Sequence, residues 1–86
     1  MNTEKQHFLD LIAYLHRADS PADLGRMLEG LLTPAELHAI TQRLQITRLL
    51  KSGVSQREVA KRLGVGIATV TRGSRALQAG KFDDVE

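Results

Sequence analysis

An 86-residue chain without cysteine has room for one domain, and neither disulfides nor thiolate metal sites can reinforce its core. At this length folding buries only about 60% of the unfolded surface, so a lone folded copy is expected to be marginal. The first apolar residues are interrupted by Asp10, His16 and Arg17, unlike a signal peptide, and no apolar run approaches the roughly 20 residues of a membrane span; the cytoplasm is the expected compartment.

Taken in order, the chain reads as all-α, five short helices in a single domain over residues 1–86. Thr3 is placed to cap a first helix reaching about Arg17, with Phe8, Leu11, Ile12 and Leu15 at helical spacing. Ala18-Asp19-Ser20-Pro21 breaks it. Ser20 as N-cap and Pro21 at the first helical position start a second helix, whose stripe is Leu24, Met27, Leu28, Leu31 and Leu32. Thr33-Pro34-Ala35-Glu36 combines a capping box with proline at the first position and starts a third helix running to about Lys51, before Ser52-Gly53. Its apolar residues do not form one stripe. Leu37, Ile40 and Leu44 follow one line, while Ile46, Leu49 and Leu50 spread around the axis. A helix apolar on much of its circumference needs cover on more than one side, and a second copy of the chain is the expected cover. The first three helices, residues 1–51, are therefore read as dimerisation helices of a homodimer.

Residues 55–78 read as two short helices joined by a tight turn, followed by a tail at 79–86. Ser55 and Glu58 have the spacing of a second capping box. Val59 and Leu63 lie four apart on one face, and Gly64 stands where the helix must stop, at a position suited to positive φ. Ile67 and Val70 give the following segment an apolar edge. Two such helices at a steep angle make a helix-turn-helix, in which Ala60, Gly64 and Val70 are fold residues.

Charge is distributed to match. Residues 1–36 carry Glu4, Asp10, Asp19, Asp23, Glu29 and Glu36 against Lys5, Arg17 and Arg26. Residues 37–82 carry Arg43, Arg48, Lys51, Arg57, Lys61, Arg62, Arg72, Arg75 and Lys81 against Glu58 alone, and Asp83, Asp84 and Glu86 make the end acidic again. A basic segment coinciding with a helix-turn-helix is the electrostatic footprint of a nucleic-acid reader. Double-stranded operator DNA is the expected partner. His7, His16 and His38 are scattered, with no carboxylate-histidine spacing for a metal or a catalytic pair, so neither an enzyme nor a metal site is expected. A helix-turn-helix used as a protein-interaction scaffold is the rival from another class.

The stretch Gly66-Ile67-Ala68-Thr69-Val70-Thr71-Arg72-Gly73-Ser74 resembles the reading-helix signature of the Trp repressor family. Ser55-Gln56-Arg57-Glu58 is similar to the start of that family's preceding helix, and Leu32-Thr33-Pro34-Ala35-Glu36 with Arg43 extends the likeness upstream. The resemblance implies an intertwined all-helical dimer that represses transcription with L-tryptophan as corepressor. It implies a ligand set of Arg43 and Arg72 around the indole ring, Gly73 leaving room for it, and the carbonyls of Leu31, Leu32 and Thr33 accepting its ammonium group. It implies a DNA set of Gln56, Arg57, Lys61, Gly66, Ile67, Ala68, Thr69 and Thr71. Ala76 stands where better-known members place a serine, Gly30 replaces a leucine, and the link between Arg43 and Ser55 is one residue shorter; these departures point to a different ligand or none as the alternative. Seven residues of the reading segment, Gly66, Ile67, Thr69, Val70, Thr71, Gly73 and Ser74, rank low as helix formers. A segment so composed is expected to be mobile until something orders it.

Overall fold

Prolines and capping hydroxyls start the helices where the sequence places them. The computed structural model describes residues 3–85, which form α1 (Thr3–His16), α2 (Pro21–Leu31), α3 (Pro34–Lys51), α4 (Gln56–Leu63) and α5 (Ile67–Gln78), with no strand among the described residues. Thr3 is the first helical residue of α1 and so is not its cap. Ser20, in extended backbone, accepts the Asp23 amide at 3.1 Å, and Pro21 follows it into α2. At α3 the capping box is complete: Thr33 Oγ1 accepts the Glu36 amide at 3.1 Å, and Glu36 Oε1 accepts the Thr33 amide at 2.9 Å. Hydrogen bonds from the Thr33 amide and then its hydroxyl hold the Glu36 carboxyl below the ordinary glutamate range.

The box expected at α4 is half made. Ser55 Oγ accepts the Glu58 amide at 3.2 Å, but the Glu58 carboxylate turns along the helix to Arg62 Nε at 3.1 Å. An i,i+4 pair between exposed partners is worth about 0.3–0.5 kcal/mol, comparable to what the reciprocal cap would add, so the two are close competitors. Gly64, at φ 65 and ψ 36, closes α4, and the Val65 amide reaches back to the Ala60 carbonyl at 3.1 Å. This left-handed closure is what turns the chain sharply into α5.

The described chain divides into two compact units, the first ending at Leu37 and the second beginning at His38. In the first unit, neither α1 nor α2 contains a buried residue. Phe8 is 59% exposed, and Leu9, Ile12, Tyr14 and Leu31 are exposed as well.

The second unit is built on Ile46 of α3, Val59 of α4 and Val70 of α5, all essentially inaccessible. Each such side chain contributes roughly 1.5–3 kcal/mol by leaving water. Leu49, Leu50, Val54, Ala60, Leu63 and Val65 pack around them. Thr47 is buried beside Ile46, its hydroxyl donating to the Arg43 carbonyl at 2.8 Å, so no polar atom is stranded by its burial. The apolar edge of α5 is narrower than its sequence suggests. Val70 enters the core, but Ile67 is 53% exposed and takes no part in it.

α5 crosses α3 at Gly73, where a Cβ would stand 2.8 Å from Ile46 Cγ2. Gly73 is therefore a packing residue first. Ile46 is β-branched and stiff at χ1, so it cannot swing aside. Gly73→Ala should gain about 1 kcal/mol of helix propensity but lose about 1–3 kcal/mol to overpacking. The expected result is a net loss of stability, seen as a lower urea midpoint with an unchanged slope.

Candidate nucleic-acid interface and adjoining cavity

α4 and α5 pack on each other, and the side chains left outside their shared core are the polar and methyl-bearing ones. Arg57 and Lys61 are exposed on α4; Ile67, Ala68 and Thr69 are exposed in the first turn of α5. Gly66 is the N-cap of α5 in extended backbone, with no side-chain cap and no acidic residue in the turn that follows. The first amides of a helix have no intrahelical acceptor, so an uncapped start offers N–H groups and a partial positive charge to an anion.

Gln56 and Thr71 are the partly buried members of the expected DNA set, and they meet. Thr71 Oγ1 lies 3.0 Å from Gln56 Oε1 and 3.0 Å from the Ile67 carbonyl. A hydroxyl has one proton and two lone pairs, so it can serve both neighbours: with the proton on Ile67 O, a rotated Gln56 amide donates instead. Either arrangement ties the first residue of α4 to the second turn of α5 and fixes the Gln56 side chain. Arg62 is drawn off to Glu58. Neither Arg57 nor Lys61 has a carboxylate within ion-pair distance among the described residues, and both remain available to an external anion.

Behind this surface lies an open-sided cavity of about 490 Å³, lined wholly by the second unit. Its volume falls in the 300–1,000 Å³ range usual for small-molecule sites. α3 contributes Ala39, Gln42, Arg43, Ile46 and Thr47; α5 contributes Thr69, Arg72, Gly73 and Ala76; Phe82 adds a wall from beyond α5. Arg43, Arg72 and Gly73 are thus brought together, as the resemblance implies, in a lining that combines two arginines with apolar residues. Neither arginine has a carboxylate within ion-pair distance among the described residues. Leu31, Leu32 and Thr33 belong to the first unit. Leu32 closes α2 with its amide on the Leu28 carbonyl, and the Thr33 carbonyl accepts the Leu37 amide at 2.9 Å. Ala76 lies in the lining, so the cavity has an apolar methyl where the resemblance places a hydroxyl in other members. Among the described residues no cluster of His, Asp or Glu could hold a metal ion, and no helix is long and apolar enough to cross a membrane.

Two lining residues escape a sequence reading. Thr47 looks like one more polar helical residue, and Phe82 falls after the last periodic segment. Gln42 and Ala39, by contrast, share one stripe with Arg43 and Ile46, a spacing visible in the sequence once Arg43 is suspected.

The bond between Gln56 and Thr71 can be tested directly. Thr71→Val keeps shape but removes the hydroxyl; the expected cost is about 1 kcal/mol in chemical denaturation, together with a shift of the Gln56 side-chain amide resonances toward those of a freely rotating amide. An unaltered amide signal would remove this bond from the structure of the site.

Comparison with known proteins finds a family match over nearly the whole chain. The family profile described as Trp repressor protein matches residues 4–84. A Trp operon repressor homolog of Xylella fastidiosa is 40% identical over 83 residues, covering 95% of this chain and 90% of that protein. One from Vibrio vulnificus is also 40% identical over 83 residues, covering 95% and 78%, and one from Vibrio campbellii reaches 48% over 54 residues, 62% of this chain and 54% of its own.

Proposed function

The chain belongs to the Trp repressor family, and on that premise we propose that it is a DNA-binding transcriptional repressor acting as a homodimer. That family is one of transcriptional repressors and not of enzymes. The observation that carries the reading is the bond between Gln56 and Thr71, which joins the start of α4 to α5 and makes one surface of the exposed side chains around them. We read α4 and α5 as a helix-turn-helix with α5 as its reading helix. Arg57 and Lys61 meet phosphates; the amides at Gly66 and Ile67 add anion-binding capacity; Ile67, Ala68, Thr69 and Thr71 face the major groove. Methyl groups and small hydroxyls suit thymine methyls and water-bridged contact better than bidentate readout. The exposure of Ile67 supports this role over core packing.

What the single chain leaves uncovered supports the homodimer. A first unit with no buried residue in α1 or α2, and with Phe8, Leu9, Ile12, Tyr14 and Leu31 exposed, has no core of its own, and a second copy supplies one. Light scattering should give a dimer at micromolar concentration. A compact 9.5 kDa monomer would defeat the dimer.

For the cavity we propose L-tryptophan as corepressor. Guanidinium planes stack on aromatic rings and fork onto carboxylates, so Arg43 and Arg72 can take both ends of an aromatic amino acid, with Gly73 beneath the ring. For the ammonium group the family resemblance names the carbonyls of Leu31, Leu32 and Thr33, which belong to the first unit. The methyl of Ala76 in the lining favours a second reading, a different ligand or none. A ligand acts here by binding the ordered α5 better than the disordered one. Saturating L-tryptophan should slow hydrogen exchange across residues 67–76; unchanged exchange would sink tryptophan and leave DNA binding intact.

The DNA reading has its own test. Arg57→Ala or Lys61→Ala should weaken operator binding and reduce the slope of log K against log salt by roughly one unit for each phosphate no longer neutralised. An unchanged slope removes that residue from the phosphate set. Salt-insensitive binding to a protein, with none to DNA, would select the interaction-scaffold reading. The proposed place of work is the cytoplasm.

A further inference from the structure

The segment after α5 does not trail away from the second unit; it turns back along α3. Gly80, at φ 84, closes α5, with the Gly80 amide on the Leu77 carbonyl and the Lys81 amide on the Ala76 carbonyl, both at 3.0 Å. Lys51, the last residue of α3, then donates from Nζ to the Phe82 carbonyl at 2.9 Å and to the Asp83 carbonyl at 3.1 Å. Farther on, Asp84 and Val85 share a small cleft with Leu44 and Arg48. Leu44, Arg48 and Lys51 are spaced to form one stripe of α3, so the acidic segment lies along a stripe that is largely basic. Its one aromatic side chain, Phe82, lines the cavity between α3 and α5. Phe82 also holds φ 61, a left-handed conformation that bulky residues rarely take and that persists only where the surroundings impose it.

We propose that residues 79–85 are an intramolecular clamp on α5, in which Phe82 and Lys51 hold the end of the reading helix against α3 with no ligand present. The need for such a device is in the sequence of α5, which is poor in helix formers and starts without a side-chain cap. Its first half is fixed by Val70 in the core, by the bond between Thr71 and Gln56, and by Gly73 against Ile46. The clamp fixes the far end. Lys51 and Phe82 are positioning residues in this scheme, acting on operator DNA only through α5. The segment also sets one wall of the cavity, so a ligand bound between Arg43 and Arg72 packs against a helix already held from that side. The clamp itself depends on neither the DNA reading nor the ligand reading.

The test is hydrogen exchange across the full chain, followed by mass spectrometry, for Phe82→Ala, Lys51→Met and Phe82→Leu. Phe82→Ala and Lys51→Met should speed exchange in residues 67–78 by about five- to thirtyfold, the factor that corresponds to losing one or two kcal/mol of local stability. Exchange in α4 should change much less. Phe82→Leu, which keeps apolar bulk, should stay close to the parent chain. Unchanged exchange in α5 for Phe82→Ala would overturn the clamp, and so would equal acceleration of α4 and α5, which marks a general loss of stability. Operator binding by the same variants separates the clamp from the reading on which its function rests. If α5 loosens but no variant, nor the parent, binds DNA, the clamp stands and the repressor reading falls. If operator affinity drops while α5 exchange is unchanged, the clamp falls and the repressor reading stands.

Discussion

Ile46 and Gly73 set how closely α5 approaches α3, and most of the second unit depends on that distance. With only a hydrogen atom at position 73, the backbone of α5 comes down onto the Ile46 side chain. Val70, one turn earlier, can then reach the pocket it shares with Val59, and α4 is held to the pair through it. The same approach creates the cavity. Residues 39, 42, 43 and 46 of α3 and residues 69, 72, 73 and 76 of α5 are spaced identically along their helices, and they face each other across the crossing point. One small residue therefore serves both the packing of α5 on α3 and the wall of the cavity, and neither can be altered without the other.

α5 is a weak helix by composition, although the proposed function asks most of it. Glycine, threonine, valine and serine dominate its first turns, at a cost of several tenths of a kcal/mol per position and about 1 kcal/mol for glycine. Its order is borrowed from contacts outside itself: a buried valine, a hydroxyl bonded to Gln56, a crossing over Ile46. A helix held in this way responds to small changes at any of those contacts, because a balance near even is shifted most by a kcal/mol. In the proposed function that is the property a regulator needs at its reading element, and it would give the adjoining cavity leverage over the surface. In the first unit, α1 and α2 contain no fully buried side chain.

Much of this was legible in the residues. Ser20-Pro21, Thr33-Pro34 with Glu36, and Ser55 located three helix starts, because capping chemistry is local and needs no knowledge of the fold. Gly64 located the turn for the same reason. The spread of apolar residues around α3 indicated more than one covered side, yet it could not say which neighbour covers which; Ile46 goes to α4 and α5, while Ile40 and Leu44 stay exposed. Ile67 was misleading because spacing alone cannot tell an apolar residue facing a core from one facing outward at a helix start. Arg43, Arg72 and Gly73 were found through resemblance and share the cavity, whereas Phe82 was invisible, since a lone aromatic after the last helix carries no period. Glu58 kept only half of its expected cap, because an arginine one turn away competes for a carboxylate that local pattern assigns to the backbone.

The bare start of α5 has a consequence of its own. A Ser or Asp at position 66 would add only a few tenths of a kcal/mol to the free protein by accepting from the first amides of α5; glycine has no side chain to occupy them. Backbone amides meet any phosphate equally, whatever base lies behind it, so whatever they contribute to DNA binding is the same at every position along a duplex. Such a contribution favours lingering and sliding on unrelated sequence as much as residence at an operator. Discrimination would then fall to a handful of methyls and hydroxyls, and the protein would trade some selectivity for a faster search.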